Sequence, residues 1–136
     1  MSGYLTDTAL LIYLLQGAPL PASVARVVSG DDPVWYSSLN VAEASIKYAT
    51  GKLYFPPVVG ADLLKATREV ALQLGWRQLV LSQEHAVRLA YLPRIHNDPF
   101  DRLLISQAIV EDLTLISSDS VFPRYTDLKL LRFSPL

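Results

Sequence analysis

The stretch DPFDRLLISQAIVEDLTLISSD, residues 98–119, decides the fold. Asp98 before Pro99 is a helix start, with the acid as N-cap and proline at the first helical position. Counting from Asp101, the i+3, i+4 and i+7 positions are Leu104, Ile105 and Ala108, a stripe that predicts a core-facing helix from Phe100 to Glu111. Leu113–Ile116 follows as a short apolar run, the signature of a buried strand. Helix feeding directly into buried strand is the cadence of an α/β sheet.

The same cadence recurs outward from this stretch. Tyr4-Leu5-Thr6 reads as a strand ended by Asp7, and Thr8–Gln16 as a helix stopped by Gly17. Pro19 and Pro21 lead a helix through about Val28, Gly30-Asp31-Asp32-Pro33 is a turn, and Val34–Tyr36 is a second strand. A helix from Ser37-Ser38 runs to about Thr50 and closes at Gly51. Tyr54-Phe55-Pro56-Pro57 reads as a loop. Ala61–Leu74 is helical, with Gly75 as its stop. Gln78–Leu81 is a third strand, and a helix opening at Ser82-Gln83-Glu84 ends near Pro93. Leu128–Leu131 is a fifth strand. This order predicts one domain over residues 1–136: a three-layer α/β/α architecture around a mainly parallel sheet of about five strands. Ligands of such sheets bind beyond the carboxyl ends of the strands.

Composition narrows the chemistry. The chain is 51% hydrophobic and 18% charged, with a net charge of −1. No strong basic field advertises nucleic acid, so any such contact needs a local patch. There is no cysteine, which excludes thiolate catalysis, zinc–thiolate sites and disulfides. The apolar run Ala9–Leu15 is too short to cross a bilayer, and no basic segment precedes it. The expectation is a cytoplasmic protein with no membrane contact.

In so apolar a chain, acids on core-directed stripes are costly unless paired. Four stand where an apolar segment meets the next helix: Asp7, Glu43, Asp101 and Asp119. Each has an ordinary alternative. Asp7 can cap the next helix. Glu43 can complete a capping box with Asn40 or pair with Lys47, although its neighbours Leu39 and Ile46 suggest an inward stripe. Asp101 suits the helix dipole, and Asp119 can close an Asx-turn after Ser117-Ser118. Jointly they crowd one sheet edge and call for a divalent cation. Without one, mutual repulsion should raise at least one of their pKa values.

Four segments resemble the PIN domain family, specifically the VapC-type toxin ribonucleases of toxin–antitoxin pairs. They are Leu5–Leu11, Ser38–Lys47, Leu115–Asp119 and, most specifically, His96–Ala108. The resemblance implies that Asp7, Glu43, Asp101 and Asp119 hold Mg²⁺ or Mn²⁺ and cleave RNA, with Asp98 and Ser117 in support. It also implies a homodimer and a cognate antitoxin whose C-terminal segment crosses the groove. One departure is Ala9, where the family usually carries a polar residue. It favours the alternative of a catalytically weak or inactive PIN fold serving as an RNA-binding or protein-interaction module.

Carboxylates suit this chemistry. Phosphodiester hydrolysis needs neutralisation of a pentacoordinate anion and an activated water, which a carboxylate-held metal supplies. His85 and His96 raise a metal-free reading with paired imidazoles. The expectation is instead structural or surface roles, with His96 near the site mouth. Lys47, Lys52, Arg94, Arg102 and Arg124 are candidates for a phosphate-binding patch. The mean hydropathy of +0.26 and the run Tyr54–Val59 point to more apolar surface than a monomer needs, unless that run covers the core. A receiver domain is excluded by the lone Asp7, and a haloacid-dehalogenase phosphatase by Ala9 two residues later.

Overall fold

The computed structural model describes residues 3–134. Five short strands carry the sheet: β1 (Tyr4–Thr6), β2 (Val34–Ser37), β3 (Arg77–Leu79), β4 (Thr114–Ser117) and β5 (Leu130–Arg132). Their order is β3-β2-β1-β4-β5, and every pair is parallel. The chain winds outward from β1 to β3, then crosses to the other side for β4 and β5. The reversal lies between β1 and β4, where a crevice opens beyond the strand ends.

Seven helices connect the strands: α1 (Thr8–Leu15), α2 (Ala22–Val28), α3 (Ser38–Ala49), α4 (Pro57–Ala61), α5 (Leu63–Leu74), α6 (Gln83–Arg88) and α7 (Pro99–Glu111). The pleat divides the core into two layers. Leu5 and Leu115 face α7, packing with Leu104, Ile105, Ala108 and Phe122. Ile116 packs on the opposite side with Leu10 and Val24. Val34 and Tyr36 join Ala71 and Trp76. The α/β/α layering with a parallel five-stranded sheet is as the sequence predicts. Gly17 follows α1 at a φ of 76°, a left-handed conformation that stops a helix cheaply only at glycine.

Several local expectations change, among them the fifth strand, which is Leu130–Arg132 and not Leu128–Leu131. The third strand is Arg77–Leu79, not Gln78–Leu81. Its partner β2 ends at Ser37, paired with Leu79, so residues beyond have no ladder to join. The loop expected at Tyr54–Pro57 holds through Pro56 and leads into an unexpected short helix, α4, started by Pro57 at its first position. The helix expected from Ala61 then breaks at Asp62, whose side chain accepts from the Lys65 N–H at 3.0 Å and caps α5. No helix among the described residues is long and apolar enough to cross a membrane.

Candidate active site

Asp7, Glu43, Asp101 and Asp119 all line one cavity of about 250 Å³ at the β1/β4 crevice, together with Thr8, Ala9, Lys47, Ser117 and Phe122. The elements deliver them for separate reasons. Asp7 ends β1, and its backbone N–H is still bonded to Ile116 of β4 at 3.1 Å. Its carboxylate also caps α1 through the Leu10 N–H at 3.3 Å, so capping and site roles coexist. Asp101 is the third residue of α7, and the stripe below it is buried as predicted at Leu104, Ile105 and Ala108. Asp119 does close an Asx-turn, accepting from the Val121 N–H at 3.0 Å.

Glu43 makes the expected pair with Lys47, but its link to Asn40 and Thr8 was missed by the sequence reading. Ile46, expected on its inward stripe, is 51% exposed. The capping box belongs to Ser37, with Asn40 as its reciprocal partner, and not to Asn40 with Glu43. Asn40 is fully buried and donates to the Thr8 hydroxyl at 3.1 Å. Thr8 in turn donates to Glu43 Oε1. Lys47 Nζ lies 3.5 Å from the other carboxylate oxygen. Glu43 is therefore aimed by a buried hydroxyl and an ammonium, not by apolar packing.

The electrostatics fit a site short of positive charge. Burial pushes the Asp7 pKa up to about 6, with Glu43 and Asp101 adding repulsion. Hydrogen bonds from the Ser117 hydroxyl and the Leu10 N–H oppose the rise. Asp101 is also pushed up to about 6, first by burial and then by the charge of Asp98, while a hydrogen bond from His96 opposes it. Desolvation thus outweighs the mutual repulsion that sequence reasoning invoked. The expected support from Ser117 has a geometric basis, since its oxygen also accepts from the Asp119 N–H at 3.1 Å.

Asp98 does not line the cavity. It caps α7, accepting from Phe100 N at 2.9 Å and Asp101 N at 3.2 Å. Of the five candidate phosphate-binding cations, Lys47 alone is a wall residue. Arg102 is turned away and donates to the carbonyl of Pro93 at 2.8 Å and to the Tyr125 hydroxyl at 3.1 Å. His85 is buried between α6 and α7, as a structural histidine should be. His96 stands beside the site, with Nε2 3.2 Å from Asp101 Oδ2.

Among the described residues no three His, Asp or Glu side chains form a ready-made metal cluster. The donor set is nonetheless all oxygen, with one buried carboxylate (Asp7), two half-buried ones (Glu43 and Asp101), the exposed Asp119 and one lysine among the wall residues. That suits a hard ion such as Mg²⁺ or Mn²⁺, which keeps several of its own waters and needs few direct protein ligands.

Several solved structures share this fold. A chain of VapBC2 from Rickettsia felis, solved bound to a DNA fragment from its promoter, superimposes with a TM-score of 0.69 at 19% identity, covering 98% of this chain and 100% of the other. A chain of FitAcB from Neisseria gonorrhoeae gives 0.68 at 21% identity over 94% and 96%. A chain of VapBC-5 from Mycobacterium tuberculosis, a member of the VapBC family of toxin–antitoxin systems, gives 0.59 at 20% over 97% and 98%. No curated protein matches. The PIN domain model matches residues 4–128, nearly the whole sheet and all four cavity acids, and on that match the chain belongs to the PIN domain family.

Proposed function

We propose that this chain is a metal-dependent endoribonuclease and the toxin of a toxin–antitoxin pair, working as a single domain over residues 1–136 in the cytoplasm. The observation that carries the reading is the convergence of Asp7, Glu43, Asp101 and Asp119 on one cavity, two of them with raised pKa values. A cation relieves that cost. The likeness to VapBC chains supports the toxin role and a cognate antitoxin as partner.

Asp7, Asp101 and Glu43 would hold Mg²⁺ or Mn²⁺ directly or through water, with Asp119 on an outer water. The ion supplies charge neutralisation at the phosphoryl oxygens and a water of lowered pKa. The chain's own groups do the rest. Thr8 fixes the rotation of the Glu43 carboxylate, Ser117 bridges Asp7 to the Asp119 backbone, and Lys47 offers the cavity's ammonium to the RNA phosphate. Exposed Tyr54 (69%) and Val58 (82%) offer apolar surface for a second copy or the antitoxin, while Phe55 between them is buried in the core.

Purified protein should cleave RNA with Mg²⁺ or Mn²⁺ and stop in EDTA. Undiminished cleavage in excess chelator defeats the metal mechanism. A second reading rests on Ala9, which lines the cavity without a polar group: a weak or inactive fold that binds RNA or protein. Metal-independent RNA binding with no cleavage at any metal concentration would favour it.

A further inference from the structure

We infer that His96 is a positioning residue for Asp101, its Nε2–H aimed at that carboxylate by a relay that begins at Arg102 and passes through Tyr125. The inference rests on the metal-nuclease reading and concerns how one proposed ligand is aimed.

The argument is a donor count. Arg102 Nη1 can only donate, and it lies 3.1 Å from the Tyr125 hydroxyl. The Tyr125 oxygen is thus an acceptor there. Tyr125 is 3% exposed, so its own proton needs a partner inside the protein. His96 Nδ1, 2.6 Å away, is that partner. An Nδ1 that accepts leaves the imidazole proton on Nε2. That nitrogen faces Asp101 Oδ2 at 3.2 Å and donates to it. Every member of the chain is satisfied in this arrangement.

Arg102 anchors the relay. Its two Nη1 hydrogens serve the Tyr125 hydroxyl and, at 2.8 Å, the Pro93 carbonyl, with the His96 carbonyl a longer shared contact at 3.4 Å, so the loop that carries the histidine is pinned. The Tyr125 and His96 rings meet edge to face, with centroids 5.5 Å apart, which fixes the imidazole plane. Asp101 Oδ2 is thereby engaged by His96, leaving Oδ1 as the oxygen without a protein donor among the described residues. An outer partner that fixes a ligand's orientation in this way typically affects metal affinity 10–100-fold.

Tyr125→Phe keeps the ring and removes the hydroxyl. His96→Ala removes the donor, and His96→Gln restores an N–H of similar reach. Mn²⁺ affinity would be measured by titration calorimetry, and the His96 tautomer by ¹⁵N NMR on metal-free protein. Wild type should show the Nε2–H tautomer. His96→Ala should weaken Mn²⁺ binding by about tenfold or more, Tyr125→Phe by less, and His96→Gln should recover part of the loss. An Nδ1–H tautomer in wild type overturns the relay. So does unchanged Mn²⁺ affinity in folded His96→Ala. If wild type binds no Mn²⁺, the metal reading fails, and the tautomer in wild type against Tyr125→Phe still decides the relay by itself.

Discussion

The two histidines of this chain each face a carboxylate, yet they serve opposite ends. His85 is 1% exposed, with Nε2 2.8 Å from Glu111 and Nδ1 accepting the Ser82 N–H at 3.0 Å. Gln107 approaches the same Nδ1 at 3.4 Å and accepts from the Ser37 hydroxyl. This network ties α6 to α7 and to the start of α3. His96 sits at the rim of the acidic cavity, and its carboxylate partner is one of several crowded together. The lesson is that a histidine–carboxylate pair has no fixed meaning. Both ring nitrogens of His85 have close partners, which favours rigidity. Around His96 negative charge is in excess, with four acids and one lysine on the cavity wall.

The strongest way to break this contrast is to remove charge from the cavity. Asp101→Asn keeps the shape and should lower metal-dependent RNA cleavage on the order of 10²–10³-fold, the scale of losing one preorganised charged group. The same variant should melt no lower than wild type in chelator, because its carboxylate is held at a cost. Wild-type cleavage by Asp101→Asn would remove that residue from the ligand set.

His85→Ala tests the other half. It deletes a fully buried side chain and strands the Ser82 N–H and the Glu111 carboxylate. Stability should fall by roughly 2–4 kcal/mol, read by urea unfolding. Cleavage per folded molecule should stay unchanged. A specific loss of cleavage with stability intact would make His85 part of the site.

How much of this was legible depended on distance along the chain. Asp101 was readable because Leu104, Ile105 and Ala108 report its helix face within seven residues. Asp7 was readable because β1 ends there and α1 begins. Ile46 misled because the buried face of α3 follows Leu39, Asn40 and Ala44, and Glu43 sits at its border. Asn40 acts across 32 residues on Thr8, and Tyr125 across 29 on His96. No local period encodes such contacts; they exist only once β1, α3 and α7 converge. The end of β3 was equally illegible, since its length is set by where β2 stops.

Acidity separates the regions again, with a smaller effect. The folded pKa of Asp7, about 6, lies above the ordinary 3.8. Between those values the folded protein holds a proton that the unfolded chain has released. Stability of the metal-free protein should therefore fall as pH rises from about 4 to 6, then level off. The contribution from Asp7 is on the order of 1–3 kcal/mol. Asp7→Asn should flatten that slope in chelator. Saturating Mn²⁺ should also oppose it, since a ligand that binds only the folded state stabilises it. An identical slope in Asp7→Asn and wild type would show that other groups govern the acid limb.

The smallest effect distinguishes two acids of one helix turn. Asp98 and Asp101 are three residues apart, and only Asp101 lines the cavity. Asp98 is exposed and spends one oxygen on the Phe100 and Asp101 N–H groups. Asp98→Ala therefore removes a cap and should cost about 1 kcal/mol, visible as a modest drop in melting temperature. Asp98 also raises the proton affinity of Asp101 by its charge, so removing it makes the Asp101 carboxylate easier to ionise. Cap loss and easier ionisation act on different quantities, one on the fold and one on the site. Metal-dependent cleavage by Asp98→Ala should thus be largely kept, and its onset should move to slightly lower pH. Comparing its melt in chelator with its cleavage in Mn²⁺ separates the two. A dead Asp98→Ala beside a fully active Asp101→Asn would exchange their roles, with the cap acting as the ligand.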